Sequence, residues 1–144
     1  VQNIDATDRQ ILSILSREAR IPMKSLAGRI GLSRSATTER VTRLEKAGLI
    51  RGYRADIGQL EEGEIEAFLL LTLKRTPSLG VLDSLAGFSS VRRVSSVSGQ
   101  LDLVVEVRVA SINALNDLRN EVAQLENVDD LTTSIVLRRE IERS

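Results

Sequence analysis

The stretch from Met23 to Tyr53, MKSLAGRIGLSRSATTERVTRLEKAGLIRGY, constrains the fold more than any other part of the chain. MKSLAGRI puts Leu26 and Ile30 four apart on one helix face, with small Ala27 beside them for close packing. Gly31 stands where that helix must stop, because glycine takes the left-handed conformation without steric cost. Leu32 fills the turn, and Ser33 is placed to cap the next helix by accepting an exposed N–H. From Arg34 onward, Thr37, Val41 and Leu44 recur at i, i+4 and i+7, and Gly48 ends the segment. Two helices joined by such a turn form a helix-turn-helix, here about residues 23–42, whose second helix can enter the DNA major groove.

The outer face of that second helix carries suitable chemistry. With Thr37, Val41 and Leu44 turned inward, Ser35, Thr38, Glu39, Thr42, Arg43 and Lys46 point outward or obliquely. Ser33 and Arg34 open the helix, where recognition helices meet base edges. Arg can fork to guanine, and short hydroxyls can serve bases or phosphates. The candidate DNA contacts are therefore Ser33, Arg34, Ser35, Thr38, Thr42, Arg43 and Lys46. Taken alone, such a face fits plain solvation equally well, since most charged helix surfaces bind nothing.

Charge distribution separates the two readings. The whole chain carries 20 basic and 20 acidic side chains, so its net charge says nothing about a polyanionic partner. Residues 1–60 hold 11 basic and 6 acidic residues, a net of +5, whereas residues 61–144 hold 9 and 14, a net of −5. Arg40, Arg43, Lys46, Arg51 and Arg54 gather positive charge along the second helix and the segment after it. That asymmetry implies two domains with different partners, the basic one facing phosphate.

Composition limits what else the chain can do. Aromatic residues make up 2% of it, so its cores must be built from Leu, Ile, Val and Ala. It has no Cys, hence no disulfide framework or thiolate metal site, which fits a reducing cytoplasm. It has no His either, which removes the commonest general base and the usual zinc and haem ligands. The run Glu61, Glu62, Glu64, Glu66 reads as solvated charge in a polar linker. No catalytic residue, metal site or cofactor is expected. No apolar run reaches the ~18 residues of a membrane span, and no signal peptide is visible. The chain opens on Val1 instead of Met, as expected if a few leading residues are missing from it.

Periodicity places the remaining elements. A first helix is expected from Ala6 to Ala19, capped by Asp5, with Asp8 at its positive end and Ile11, Leu12, Leu15 and Ala19 inward. Three helices and a basic strand from Ile50 to Ile57 make a winged-helix-like domain over residues 1–57. Gly58 to Glu64 is the linker, and residues 65–144 the second domain. There, strands are predicted over Ile65–Leu73, Val91–Ser98, Leu101–Val109 and Thr132–Ile141, with Gly99-Gln100 a tight turn. Helices are predicted over Ser78–Gly87 and Ile112–Leu125. The order βαββαβ is a ferredoxin-like sandwich, so the fold class is α+β. In FLLLTL both strand faces are apolar, which leaves Phe68 and Leu70, with Val104 and Val136, on a sheet face that no helix covers. Sheet-to-sheet homodimerisation would bury that patch and pair two DNA-reading units for a palindromic site.

IDATDRQIL, LAGRIGLSRSATTERVTRLEKAGLIRGY and VSGQLDLVVEV, in this order and ahead of a βαββαβ tail, resemble the Lrp/AsnC, or feast/famine, transcriptional regulators over essentially the whole chain. The resemblance implies sequence-specific binding of double-stranded DNA, a homodimer that assembles to octamers or related rings, and an amino acid or similar metabolite as effector. It also implies an effector pocket around a Gly-x-x-Asp loop at contacts between dimers. Here that loop is Gly99-Gln100-Leu101-Asp102, with Ser98 and Thr133 as further polar contacts. Exposed backbone N–H groups could hold a carboxylate and Asp102 an ammonium. The alternative is a plain hairpin in which Gly99 serves the turn and Asp102 is solvated. Two departures from the family pattern stand out: Pro22 where a Ser or Thr cap is usual, and basic Arg138-Arg139 near the end of the last strand. Some proteins of similar fold decarboxylate sirohaem, but they rely on His, which this chain lacks. An assembly module whose helix-turn-helix binds protein is a further alternative, disfavoured by the charge split.

Overall fold

The computed structural model describes residues 3–58 and 63–143, so Gln59 to Glu62 of the expected linker lie outside the described residues. The chain divides into two compact units, one built on Val1–Ile57 and the other on Gly58–Ile141.

The first unit holds α1 (Ala6–Arg17), α2 (Met23–Ile30) and α3 (Arg34–Lys46). Each boundary has a local cause. Asp5 caps α1 by accepting from the Asp8 N–H at 2.8 Å, and Asp8 reaches back toward the Asp5 N–H, a reciprocal capping box. Gly31 ends α2 at φ 70°, in the left-handed region, as the sequence predicts. Pro22 precedes α2 without a side-chain capping bond. Ser33 caps α3 through the Ala36 N–H at 3.2 Å. Ile11, Leu26, Val41 and Leu44 form the core, with Thr37 and Asp8 also buried.

The expected strand from Ile50 to Ile57 does not form, and no strand occurs among the described residues of this unit. The chain leaves α3 through a tight exit in which the Leu49 and Ile50 N–H groups both donate to the Leu44 carbonyl. Beyond it, residues 51–58 are exposed and irregular. A β-strand needs a partner for its backbone groups, and residues 3–57 offer none.

The second unit contains β1 (Ile65–Leu73), α4 (Leu79–Ala86), β2 (Val91–Ser96), β3 (Leu103–Val109), α5 (Ile112–Ala123) and β4 (Val128–Ile135). This is the βαββαβ order, in one antiparallel sheet arranged β2-β3-β1-β4. Alternation decides the faces. Ala67, Leu69 and Leu71 of β1 and Leu103, Val105, Val107 and Val109 of β3 are buried beneath α4 and α5. Val81, Leu85, Leu115, Leu118 and Val122 meet them from the helices.

Two expectations are corrected here. The last strand runs Val128–Ile135, not Thr132–Ile141. Its register against β1, from Leu73 opposite Val128 to Ala67 opposite Ile135, buries Val128 and Leu131. Asp129 and Asp130 between them mimic a turn in the sequence, but they sit exposed on an edge strand, where charge discourages further pairing. Past β4, the Val136 N–H still donates to the Glu66 carbonyl at 2.9 Å. Second, β2 and β3 are joined by residues 97–102 and not by a two-residue turn. Within that connection Asp102 bridges both neighbours: its carbonyl accepts from the Val97 N–H at 3.1 Å, its N–H donates to the Leu71 carbonyl at 2.9 Å, and its Oδ2 accepts from the Leu73 N–H at 2.6 Å.

On the helix-free sheet face, half-buried Phe68, Leu70 and Val104 lie together, with Thr132 and Ser134 opposite Leu70 and Phe68 on β4. Glu66 marks one side of this patch, accepting from Arg139 and from Arg108 Nη2, the latter at 2.7 Å. Arg138 pairs instead with Glu140. The Arg139 guanidinium, then Arg108, holds the Glu66 carboxyl below its ordinary value. A depressed folded value stabilises the native sheet above the ordinary carboxylate range, and that contribution is lost as pH falls through the depressed value. Melting temperatures followed from about pH 6 down to about pH 3 should therefore fall more steeply for wild type than for Glu66→Gln. Parallel curves would show that the pair adds nothing to stability.

Candidate nucleic-acid interface and effector loop

The interface is built on α3. Thr37, Val41 and Leu44 are buried, which turns Ser35, Thr38, Thr42 and Lys46 to solvent, and Arg34 is exposed in the first turn. Ser33 is exposed but its Oγ is engaged as the cap, with Ser35 Oγ 3.4 Å away. Thr38 Oγ1 donates to the Arg34 carbonyl at 2.9 Å, which leaves its oxygen lone pairs as acceptors.

Arg43 has a second attachment. Its Nη2 donates to both Asp8 oxygens at 3.3 Å, while its side chain stays 61% exposed. Arg40 Nη1 donates to Asp5 Oδ2 at 2.7 Å and to Asp8 Oδ1 at 3.0 Å. Hydrogen bonding to Arg40, then to the Asp8 N–H, holds the Asp5 carboxyl below its ordinary value. The sequence reading gave Asp8 only a helix-end role and missed this cluster. Its signal was present in the spacing: two acids three apart on one helix, and two arginines three apart on another. Which helix faces which cannot be read from spacing.

In the second unit, Ser98, Gly99 and Gln100 are exposed in the β2–β3 connection, and Gly99 adopts φ 102°, which favours glycine. Asp102 lines an open recess of about 370 Å³ together with Thr76, Ser78, Ser96 and Val97. Its Oδ2 is taken by Leu73, and its Oδ1 makes no hydrogen bond among the described residues. Thr133 is not brought to this loop. It pairs with Leu69 on β4, at one edge of the sheet, while the loop joins β2 and β3 at the other. Its Oγ1 is buried without a hydrogen-bond partner.

A helix-turn-helix unit followed by a ferredoxin-like unit with a glycine loop defines a two-part DNA-binding regulator. Two family models match: winged helix-turn-helix DNA-binding over residues 4–51, and the Lrp/AsnC ligand binding domain over residues 66–144. The leucine-responsive regulatory protein of Klebsiella pneumoniae is 32% identical across 99% of this chain and 90% of its own length. An HTH-type transcriptional regulator of Pyrococcus furiosus is 29% identical, covering 94% of this chain and 90% of its own. Among solved structures, Escherichia coli AsnC superposes with a TM-score of 0.88 at 29% identity, covering 99% of this chain and 98% of AsnC. The feast or famine regulatory protein of M. tuberculosis, complexed with L-methionine, gives 0.87 at 32% identity over 97% and 96%. The chain belongs to the Lrp/AsnC family and is a transcriptional regulator of that type.

Proposed function

We propose that the protein acts in the cytoplasm as a homodimer that reads duplex DNA with α3 and is tuned by an amino acid, without catalysing a reaction. What carries the DNA reading is the exposure of Arg34, Ser35, Thr38, Thr42 and Lys46 along one helix whose opposite side is buried. Ser33, as cap, would present backbone N–H groups to a phosphate, and Arg43 would add a partly committed cation. Genome-wide binding-site mapping with and without amino acids tests the reading as a whole, and recovery of no enriched sites would refute it.

Single substitutions test the roles within it. Lys46→Ala should weaken binding to all sequences and flatten the salt dependence by about one unit, as loss of one phosphate contact requires. Arg34→Ala should instead cost about 1–3 kcal/mol on the preferred site alone and relax selectivity there. If both variants bind as wild type does, α3 is not the reading element.

The effector reading rests on the recess beside Asp102 and on family membership, in which relatives from M. tuberculosis and Neisseria meningitidis are complexed with L-methionine. Ser98, Gly99 and Gln100 would offer backbone and hydroxyl groups to a carboxylate, and Asp102 Oδ1 would accept from an ammonium. Thr133 has no part in this reading, because it lies at the far edge of the sheet with its hydroxyl buried. Asp102→Ala is a poor test, since it also orphans the Leu73 N–H. Asp102→Asn keeps an oxygen acceptor for that N–H and removes the charge. It should melt as wild type does yet lose any thermal shift with amino acids. An equal shift in both proteins would place the ligand elsewhere.

A further inference from the structure

Three cations step around α3 from its outer face toward α1. Lys46, Arg43 and Arg40 are spaced three residues apart, and each step is about 60° around the helix axis. Lys46 is exposed, the Arg43 side chain is 61% exposed and that of Arg40 is 26% exposed. Arg43 and Arg40 meet carboxylates, Asp8 being 3% exposed and Asp5 53% exposed in their side chains. Arg40 is bound on both sides through one nitrogen, at 2.7 and 3.0 Å, whereas Arg43 gives Asp8 one nitrogen at 3.3 Å and keeps the rest of its fork outside. Two acids and two arginines make a neutral cluster at the rim of the recognition helix. The net charge of +5 in residues 1–60 therefore does not reside there.

We propose that Asp5 and Asp8 are an internal counter-anion that competes with DNA phosphate for Arg40 and Arg43, holding down affinity for every duplex and its dependence on salt. This rests on the DNA-binding reading given above. Phosphate contacts position a protein without reading sequence, so each cation withheld from phosphate lowers affinity for all duplexes alike. Base contacts from the first turn of α3 are left untouched, so the ratio of specific to non-specific binding stays the same. Asp5 is the adjustable member, because it is half exposed and its bond to Arg40 is a surface one. Asp8 is buried, and its loss would also disturb the fold.

Asp5→Asn tests the proposal without removing the cap of α1, since Asn caps helices about as well as Asp. Binding to a random-sequence duplex should tighten at low salt and its salt dependence should steepen by about one unit. Between about 50 and about 200 mM salt that is an extra loss of roughly threefold to fourfold. The preference for a mapped site over random duplex should stay at the wild-type value, because both gain the same phosphate contact. Adding Arg40→Gln to Asp5→Asn should return the salt slope to the wild-type value. Glu39→Gln removes an exposed α3 carboxylate outside the cluster and serves as the charge control. An unchanged slope in Asp5→Asn, or an equal gain in Glu39→Gln, overturns the proposal while leaving the DNA-binding reading intact. A wild-type protein that binds no duplex overturns both.

Discussion

Leu70→Lys is expected to turn a dimer into monomers and to lower affinity for a two-half-site operator at least about a hundredfold, the lower end of what linking two binding events contributes. Leu70 sits at the centre of the helix-free sheet face, flanked by Val104 on β3 and Thr132 on β4. Face-to-face pairing of two sheets would seal this position, and an unpaired ammonium there would lose its hydration with no counter-charge in return. Glu66 and Glu106 lie on the same face, but Arg108 and Arg139 hold the first and Arg93 the second. Within one chain the new Lys would point to water, so the monomer should keep its fold. Light scattering at micromolar concentration and gel shift on one and two half-sites separate the two effects. A wild-type monomer, or a variant that is still dimeric, would show that this face is not the interface.

Asp8→Ala is expected to destabilise the helix-turn-helix unit by about 3 kcal/mol, toward the lower end of the cost of breaking a buried ion pair. Asp8 is 2% exposed and accepts from Arg40 and Arg43 of α3, so its removal leaves two guanidiniums facing an apolar gap and opens the capping box. Arg40 is a quarter exposed and Arg43 more than half, so both can turn to water, which keeps the loss from reaching about 5 kcal/mol. A unit of this size has total stability of only about 3–5 kcal/mol, so the loss is close to all of it. Asp5→Ala should cost far less, mostly through the lost cap, because that carboxylate is half exposed. Chemical denaturation followed by far-ultraviolet circular dichroism would resolve the loss of α1–α3 from the loss of the sheet. Equal midpoints for Asp8→Ala and wild type would mean that the cluster contributes no net stability.

Local chemistry made much of the fold legible in advance. Gly31, Ser33 and Asp5 end or begin helices by interactions that span at most four residues, so their roles can be read from the chain alone. The alternation of Leu103, Val105, Val107 and Val109, and the i, i+4, i+7 row of Thr37, Val41 and Leu44, likewise fixed which side of each element is buried. The family resemblance came from motifs on these same local elements. Misreadings fell where pairing across the chain outweighs local signal. Ile50 to Ile57 has strand-like residues but no partner, whereas Asp129 and Asp130 look like a turn yet are held in β4 by β1. Asp102 belongs to a hairpin by spacing and does accept from Val97 across it, but its N–H and carboxylate also run to Leu71 and Leu73 on another strand, which spacing does not reveal.

The same boundary runs through the candidate site. Sequence determined the outward row of α3, because helical period alone turns Ser35, Thr38, Thr42 and Lys46 away from the buried row. Tertiary structure decided that Arg40 and Arg43 are countered by Asp5 and Asp8, more than 30 residues away, and that Thr133 stands apart from the glycine loop. Periodicity gives each side chain a direction about its own element. What that direction meets depends on how elements are ordered and packed, and that order is set by the burial of the whole core.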